Sequence, residues 1–144
     1  MTTAEAATQT ISQVQDEIVE DFEYLEDWRD RYEHIVDVGR RLPPFPDGER
    51  TVDNEVQGCQ SKVWLHAAVS DGKVYYDGDS NTAIVKGLIA LALRVYSGRT
   101  PDEIIQTPPA YVERIGMSQH LMSSRAEGLQ AVIKRIKSEA QKVK

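Results

Sequence analysis

Cysteine is almost absent from this chain of 144 residues, which contains Cys59 and no second thiol. A single cysteine cannot form a disulfide within the chain, so any covalent chemistry that it performs must involve another molecule. Three histidines are scattered along the sequence, and no C-x-x-C or H-x-x-x-H spacing is present. Zinc and iron–sulfur sites usually need such closely spaced ligands, and we therefore expect no metal site.

Positive charge and long apolar runs are scarce as well. The chain has 17 Lys and Arg against 23 Asp and Glu, with a formal net charge of -6. Because nucleic-acid and anionic-membrane binders usually present a basic surface, neither partner is expected. No segment approaches the ~18 apolar residues of a membrane span, and the first residues lack the features of a signal peptide. We expect a flexible tail over residues 1–10, one domain over 11–144, and a reducing, cytoplasmic setting.

Apolar periodicity and helix-start signals predict several helices. Three helices are expected over 11–25, 27–41 and 83–96, and a short helix is expected to start at Thr100. A short helical turn and a loop should follow over 110–123. The final helix should start at a capping box at 124–127. Three prolines at positions 43, 44 and 46 end the second helix, since proline cannot donate a backbone hydrogen bond. The helix over 83–96 is apolar on nearly all sides, which predicts that it is buried against a sheet.

Alternating apolar residues over 63–69 predict a strand, and Asp71-Gly72 is a strong signal for a two-residue hairpin turn. The returning strand is predicted over 73–76, and a third strand over 51–56 would place Cys59 in the connection between strands. The predicted fold class is α+β, with helices covering one face of a small three-stranded antiparallel sheet.

The surroundings of Cys59 indicate a loop. Free cysteine is often a small core residue, but Gly58 precedes it and Gln60 follows it in a polar stretch. Reactive groups are frequently carried by such loops. The thiolate is the reactive form, with an ordinary pKa of about 8.5, so nearby positive charge would help. Lys62 and Arg125 are the candidates, together with backbone amides of the loop.

Among the histidines, His120 is predicted to lie in a loop and is the best candidate for a neighbour of the site. A Cys–His hydrolase would also need a third residue that orients the histidine, and an oxyanion hole. No local sequence indicates either feature.

Several blocks of sequence together resemble the SufE family, the sulfur acceptors of cysteine desulfurases in iron–sulfur cluster assembly. The blocks are VQGCQSKVW at 56–64, VGRRLP at 38–43, GDS at 78–80, AIVKGL at 83–88, HL at 120–121, SR at 124–125 and GL at 128–129. They keep the family's order and extend over roughly residues 11–140. The resemblance implies a fold shared with the IscU-type scaffold proteins, and it implies that Cys59 carries a persulfide.

The resemblance further implies a sulfur carrier that stimulates a SufS-type cysteine desulfurase and is not itself an enzyme. Pyridoxal phosphate would belong to that partner, and this chain would have no cofactor of its own. A SufBCD-type cluster scaffold would receive the sulfur, and a homodimer is left open.

Supporting roles follow for residues near the cysteine position. Arg125 would stabilise the anionic sulfur and Asp79 would hold the loop, whereas Gly58 would allow an unusual backbone conformation. Gln60 and His120 complete the expected site. An IscU-like scaffold, which would bind metal, and a Cys-dependent hydrolase, which would form an acyl-enzyme, stay open as alternatives.

Overall fold

The computed structural model describes residues 9–121 and 123–144. Of the predicted tail, only residues 9 and 10 fall within this range. The helices are α1 (Ile11–Glu23), α2 (Trp28–Arg40), α3 (Ala83–Tyr96), α4 (Pro101–Gln106), α5 (Ala110–Ile115), α6 (Met117–His120) and α7 (Ser123–Lys142). Strands β1 (Val63–Ser70) and β2 (Lys73–Ser80) form the sheet, and two 3-10 turns, Asp47–Glu49 and Val52–Asn54, precede it.

Side-chain caps explain where several of the predicted helices begin. Thr10 and Gln13 form a capping box at the start of α1, and Thr100 and Glu103 form the predicted box at the start of α4. The prediction of a capping box beginning at Ser124 is wrong, because α7 already begins at Ser123 and Ser124 lies inside it. The stretch before it contains two short helices, α5 and α6, where one helical turn and a loop were predicted.

The hairpin of β1 and β2 follows the predicted turn. Asp71 and Gly72 have φ angles of 52° and 76°, and two successive positive φ values are the signature of the type I′ turn that matches the twist of paired strands. The register runs from Ser70 opposite Lys73 to Val63 opposite Ser80. Both strands are longer than the sequence pattern predicted.

The prediction of a third strand over 51–56 is wrong. Within the residues that the structure describes, the sheet has two strands, and Glu55 meets Trp64 in one isolated bridge. Residues Val52–Asn54 curl into a 3-10 turn instead. In addition, the backbone carbonyls of Asp53 and Glu55 accept hydrogen bonds from the Arg135 side chain. Those carbonyls are therefore bound to a helix, which leaves too little extended backbone for a ladder.

Helix α3 lies at the centre of the core, as its apolar sequence predicted. Its first half crosses α2 where Gly87 meets the backbone of Ile35, and it packs on the sheet at Gly78. The hairpin is joined to α7 by the Tyr76 hydroxyl, which donates to the Ile136 carbonyl at 2.7 Å. This packing holds the sheet, α3 and α7 against one another. No helix in the described ranges is both long enough and apolar enough to cross a membrane.

Candidate functional site around Cys59

Cys59 lies in a loop whose base is closed by backbone pairing. The Val56 amide donates to the Val63 carbonyl at 2.9 Å, next to the bridge between Glu55 and Trp64. Residues 57–62, here called the cysteine loop, project from this base. Gly58 has a φ of 90°, a left-handed conformation that glycine adopts without steric cost. The backbone turns there and directs the next residue, Cys59, toward α7.

The second arm of the cysteine loop is attached to the junction between β2 and α3. The Lys62 amide donates to Asn81 Oδ1 at 3.2 Å, and the Lys62 carbonyl accepts from Ser80 Oγ at 2.8 Å and from the Asn81 amide at 3.3 Å. The hydroxyls of Ser61 and Thr82 are 2.8 Å apart. These polar contacts together hold the arm that follows the cysteine.

The Cys59 thiol contacts the first turns of α7. Its Sγ donates to the Gly128 carbonyl at 3.7 Å, and a Cβ added to Gly128 would lie 3.6 Å from the sulfur. The cysteine is half-buried, and this burial raises the pKa of its thiol. In this arrangement the thiol is therefore protected and mostly protonated near neutral pH, because desolvation disfavours the thiolate.

The thiol opens into a cleft of about 270 Å³, here called the Cys59 cleft. Its lining residues are Cys59, Gln60, Ser61, Thr82, Val85, Ser124, Arg125 and Gly128. Within this described lining, Arg125 is the residue that carries a formal charge. The cleft is large enough for a few heavy atoms beyond the thiol, and three hydroxyl groups contribute to its polar surface.

Asp79 lies at the end of β2 and is held by two cations. Its carboxylate contacts Arg50 at 2.7 Å and Lys86 at 3.4 Å, and it accepts the Ser80 amide at 2.8 Å. Burial alone would raise the pKa of Asp79, but the hydrogen bonds from Arg50 and Ser80 and the charge of Lys86 lower it overall. Asp79 thus anchors the strand that carries Ser80, and the described lining of the Cys59 cleft does not include it.

His120 and Lys62 are occupied elsewhere. The His120 ring stacks on Trp28 with centroids 4.3 Å apart, and the His120 carbonyl accepts from the Tyr32 hydroxyl. Lys62 pairs with Glu55 at 3.2 Å. Neither residue belongs to the lining of the Cys59 cleft as described. Of the predicted site residues, the structure brings together Cys59, Gln60 and Arg125, with Gly58 directly beside them.

Sequence reasoning missed five further residues that line the same cleft, of which Ser61 belongs to the cysteine loop itself. Helix α3 supplies Val85 and is preceded by Thr82, and helix α7 supplies Ser124 and Gly128. Only Gly128 carried a weak signal, because glycine is unfavourable within a helix and often marks close packing. Among residues 9–121 and 123–144, no group of three or more His, Cys, Asp or Glu side chains is placed to hold a metal ion.

The fold and the site define a small α+β protein that presents one half-buried thiol on a loop docked against a long helix. A model of the SufE family, described as an Fe-S metabolism associated domain, matches residues 16–140. An uncharacterised SufE-like protein of Rhizobium meliloti is 42% identical over 131 residues, covering 88% of this chain and 94% of the relative. The chain therefore belongs to the SufE family.

A second relative agrees with this assignment, and a solved structure shares the fold. An uncharacterised SufE-like protein of Synechocystis sp. is 39% identical over 123 residues, covering 85% of this chain and 77% of the relative. The solution structure of a hypothetical protein from Thermus thermophilus superposes with a TM-score of 0.75 at 24% identity, covering 90% of this chain and 94% of that one. At this identity the structural likeness shows a shared fold.

Proposed function

We propose that this protein is a sulfur acceptor, in which Cys59 takes sulfane sulfur from a cysteine desulfurase and passes it on for iron–sulfur cluster assembly. The observation that carries the proposal is the position of the chain's one thiol. It lies at the tip of a loop, beside a cleft with room for another sulfur atom, in a domain of a family associated with Fe-S metabolism.

The transfer is a thiol exchange. The Cys59 thiol first loses its proton to solvent, and its thiolate then attacks the outer sulfur of a persulfide on the desulfurase cysteine. One S–S bond forms on Cys59 as the S–S bond of the donor breaks, and the desulfurase cysteine leaves as a thiolate that takes up a proton. No external oxidant or reductant is consumed, because the sulfane sulfur moves with its oxidation state unchanged.

The resting geometry favours protection over reactivity. A half-buried thiol with a raised pKa reacts slowly with small oxidants and electrophiles. Attack on a persulfide then requires the cysteine loop to loosen its contact with Gly128 when the desulfurase docks. Such docking would empty the desulfurase persulfide and so speed its turnover, and pyridoxal phosphate would be a cofactor of that partner alone.

A single thiol in the chain also favours the survival of the product, the Cys59 persulfide. A persulfide is attacked readily by a neighbouring thiol, which would release the sulfur as sulfide. Cys59 has no second cysteine in its own chain to do this. The sulfur therefore stays on the carrier until a recipient, here proposed as a SufBCD-type cluster scaffold in a reducing cytoplasm, accepts it.

The test is intact-protein mass spectrometry after incubation with a SufS-type cysteine desulfurase and cysteine. The wild-type chain should gain one sulfur atom that a thiol reductant removes, and Cys59→Ser should gain none. In Arg125→Gln, a lower yield of the adduct would indicate that the guanidinium stabilises the anionic sulfur, since charge-assisted contacts favour an anion. Failure of the wild type to gain sulfur from any of several desulfurases would overturn the proposal. Ester hydrolysis by the chain would then support the alternative of a Cys-dependent hydrolase, and stoichiometric metal binding would support the alternative of an IscU-like scaffold.

A further inference from the structure

One face of α7 lies along the arm of the cysteine loop that precedes Cys59. Gly128 contacts Cys59, and Ala131 faces Gly58, where an added Cβ would come within 3.4 Å of the Ala131 Cβ. Arg135 continues the same face toward the residues before the loop. Positions three and four apart on a helix are neighbours on its surface, so these three residues form a row.

Arg135 engages all three of its guanidinium nitrogens. Nη1 donates to the Glu55 carbonyl at 3.2 Å, Nη2 donates to the Asp53 carbonyl, and Nε donates to Glu139 Oε1 at 3.0 Å. The side chains of Arg135 and Glu139 are 22% and 20% exposed, so this pair is shielded from solvent to a large degree. The two carbonyls lie at the end of the Val52–Asn54 turn, shortly before the cysteine loop begins.

We propose that Arg135 is a positioning residue for Cys59: it fixes residues 53–55, which lead into the cysteine loop, to α7 in the register that places Sγ over Gly128. The two attachment points lie roughly 10 Å apart along the helix, at 1.5 Å per residue. Between them the loop touches α7 mainly through glycine and alanine, and its tip is held by one thiol hydrogen bond. Sulfhydryl donors are weak, whereas hydrogen bonds from a guanidinium are among the stronger ones.

The position of Cys59 therefore depends on its two arms rather than on the tip. Ser61 and Lys62 secure the following arm at the β2–α3 junction, and Arg135, together with the pairing of Val56 with Val63, secures the residues that lead into the loop. Loss of the Arg135 bonds would let Gly58 and Cys59 leave α7 more often, which would expose the thiol. The consequence of this exposure for sulfur transfer rests on the proposed function, but the exposure of the thiol can be measured without any partner.

The experiment compares Arg135→Gln with two matched variants of the same helix. Lys134→Gln removes an equal charge from the adjacent, exposed position, and Glu139→Gln removes the ion pair of Arg135 while keeping its bonds to the carbonyls of Asp53 and Glu55. The readout is the rate of Cys59 alkylation by iodoacetamide across pH, followed by intact mass. Thermal unfolding of each variant establishes that the measurements are made on folded protein.

We expect Arg135→Gln to react at least about tenfold faster near neutral pH, because one charge-assisted hydrogen bond corresponds to about a tenfold step in an equilibrium and Arg135 makes two to the backbone before the loop. The midpoint of its rate–pH profile should also move down toward that of an ordinary thiol, since a more exposed thiolate is better solvated. Arg125, the charged residue in the described lining of the cleft, is present in every variant. Lys134→Gln and Glu139→Gln should keep profiles close to that of the wild type.

Two results would overturn the inference. One is an unchanged rate and midpoint in Arg135→Gln together with a lower melting temperature, which would mean that the arginine merely stabilises the fold. The other is a Glu139→Gln profile identical to that of Arg135→Gln, which would assign the effect to the ion pair within α7. A shifted profile in a chain that accepts no sulfur would support the positioning role and contradict the proposed function, so that the two claims fail separately.

Discussion

Helices α2 and α3 cross at a pair of glycines, Gly39 and Gly87, whose backbones are in direct contact. A Cβ added to Gly87 would lie 2.0 Å from the Ile35 carbonyl oxygen and 2.6 Å from its carbonyl carbon. These are backbone atoms of a packed helix, so no side-chain rotation can relieve the overlap. Gly87→Ala should therefore force the two helices apart.

Two opposing effects determine how much Gly87→Ala lowers the free energy of unfolding. Overpacking of a core costs about 1–3 kcal/mol when side chains can yield, and a clash with backbone belongs at the upper end of that range or beyond it. Alanine returns about 1 kcal/mol through its better helix propensity. The net loss in the free energy of unfolding should be at least ~2 kcal/mol, which for a chain of this size lowers the melting temperature by roughly 4–8 °C.

The assay is thermal unfolding followed by far-ultraviolet circular dichroism. Gly48→Ala is the matched control, because a Cβ at that exposed position would meet nothing within 4 Å. A melting temperature of Gly87→Ala equal to or above that of Gly48→Ala would refute the close crossing of α2 and α3. Since α3 also carries Val85 of the Cys59 cleft, the same variant should alter the access of alkylating reagents to the thiol.

Two further substitutions test contacts on either side of the sheet. Asp79→Asn removes the anion between Arg50 and Lys86, and we expect it to lower the free energy of unfolding by about 1–2 kcal/mol at neutral pH. Because the folded pKa of Asp79 is lowered, this stability is present above the unfolded pKa of about 3.9 and is lost as pH falls toward the folded pKa. In urea unfolding, the difference in the free energy of unfolding between the wild type and Asp79→Asn should be smaller at acidic than at neutral pH. A difference independent of pH would contradict the ion pairing of Asp79. Tyr76→Phe removes a hydroxyl that donates to the Ile136 carbonyl, and should cost about 1 kcal/mol at all pH values below tyrosine ionisation; an unchanged midpoint would count against that contact.

Local chemistry determined much of the fold. The alternating residues of β1, the Asp71-Gly72 turn and the Thr100–Glu103 capping box each act over a few neighbouring residues, and the structure contains all three. The apolar character of α3 was enough to predict a buried central helix. The third strand was wrong because a helix distant in sequence takes up the carbonyls of Asp53 and Glu55, and no pattern within residues 51–56 contains that information.

The candidate site likewise combines features that neighbouring residues determine with features that only packing determines. The sequence alone singled out Cys59 and its loop, because a glycine and polar residues around a lone thiol are typical of a loop rather than of a core. It also suggested Arg125 and Gln60, which the structure places in the lining of the Cys59 cleft, while His120 stacks on Trp28 elsewhere.

Only the tertiary structure decided the state of the thiol. Its burial and its contact with Gly128 come from the docking of the loop on α7, and its position depends on Arg135, far along that helix. Charge and polarity can be read residue by residue, whereas desolvation depends on which distant segments exclude water from a group. The candidate reactive atom could therefore be identified locally, whereas its burial was determined by packing.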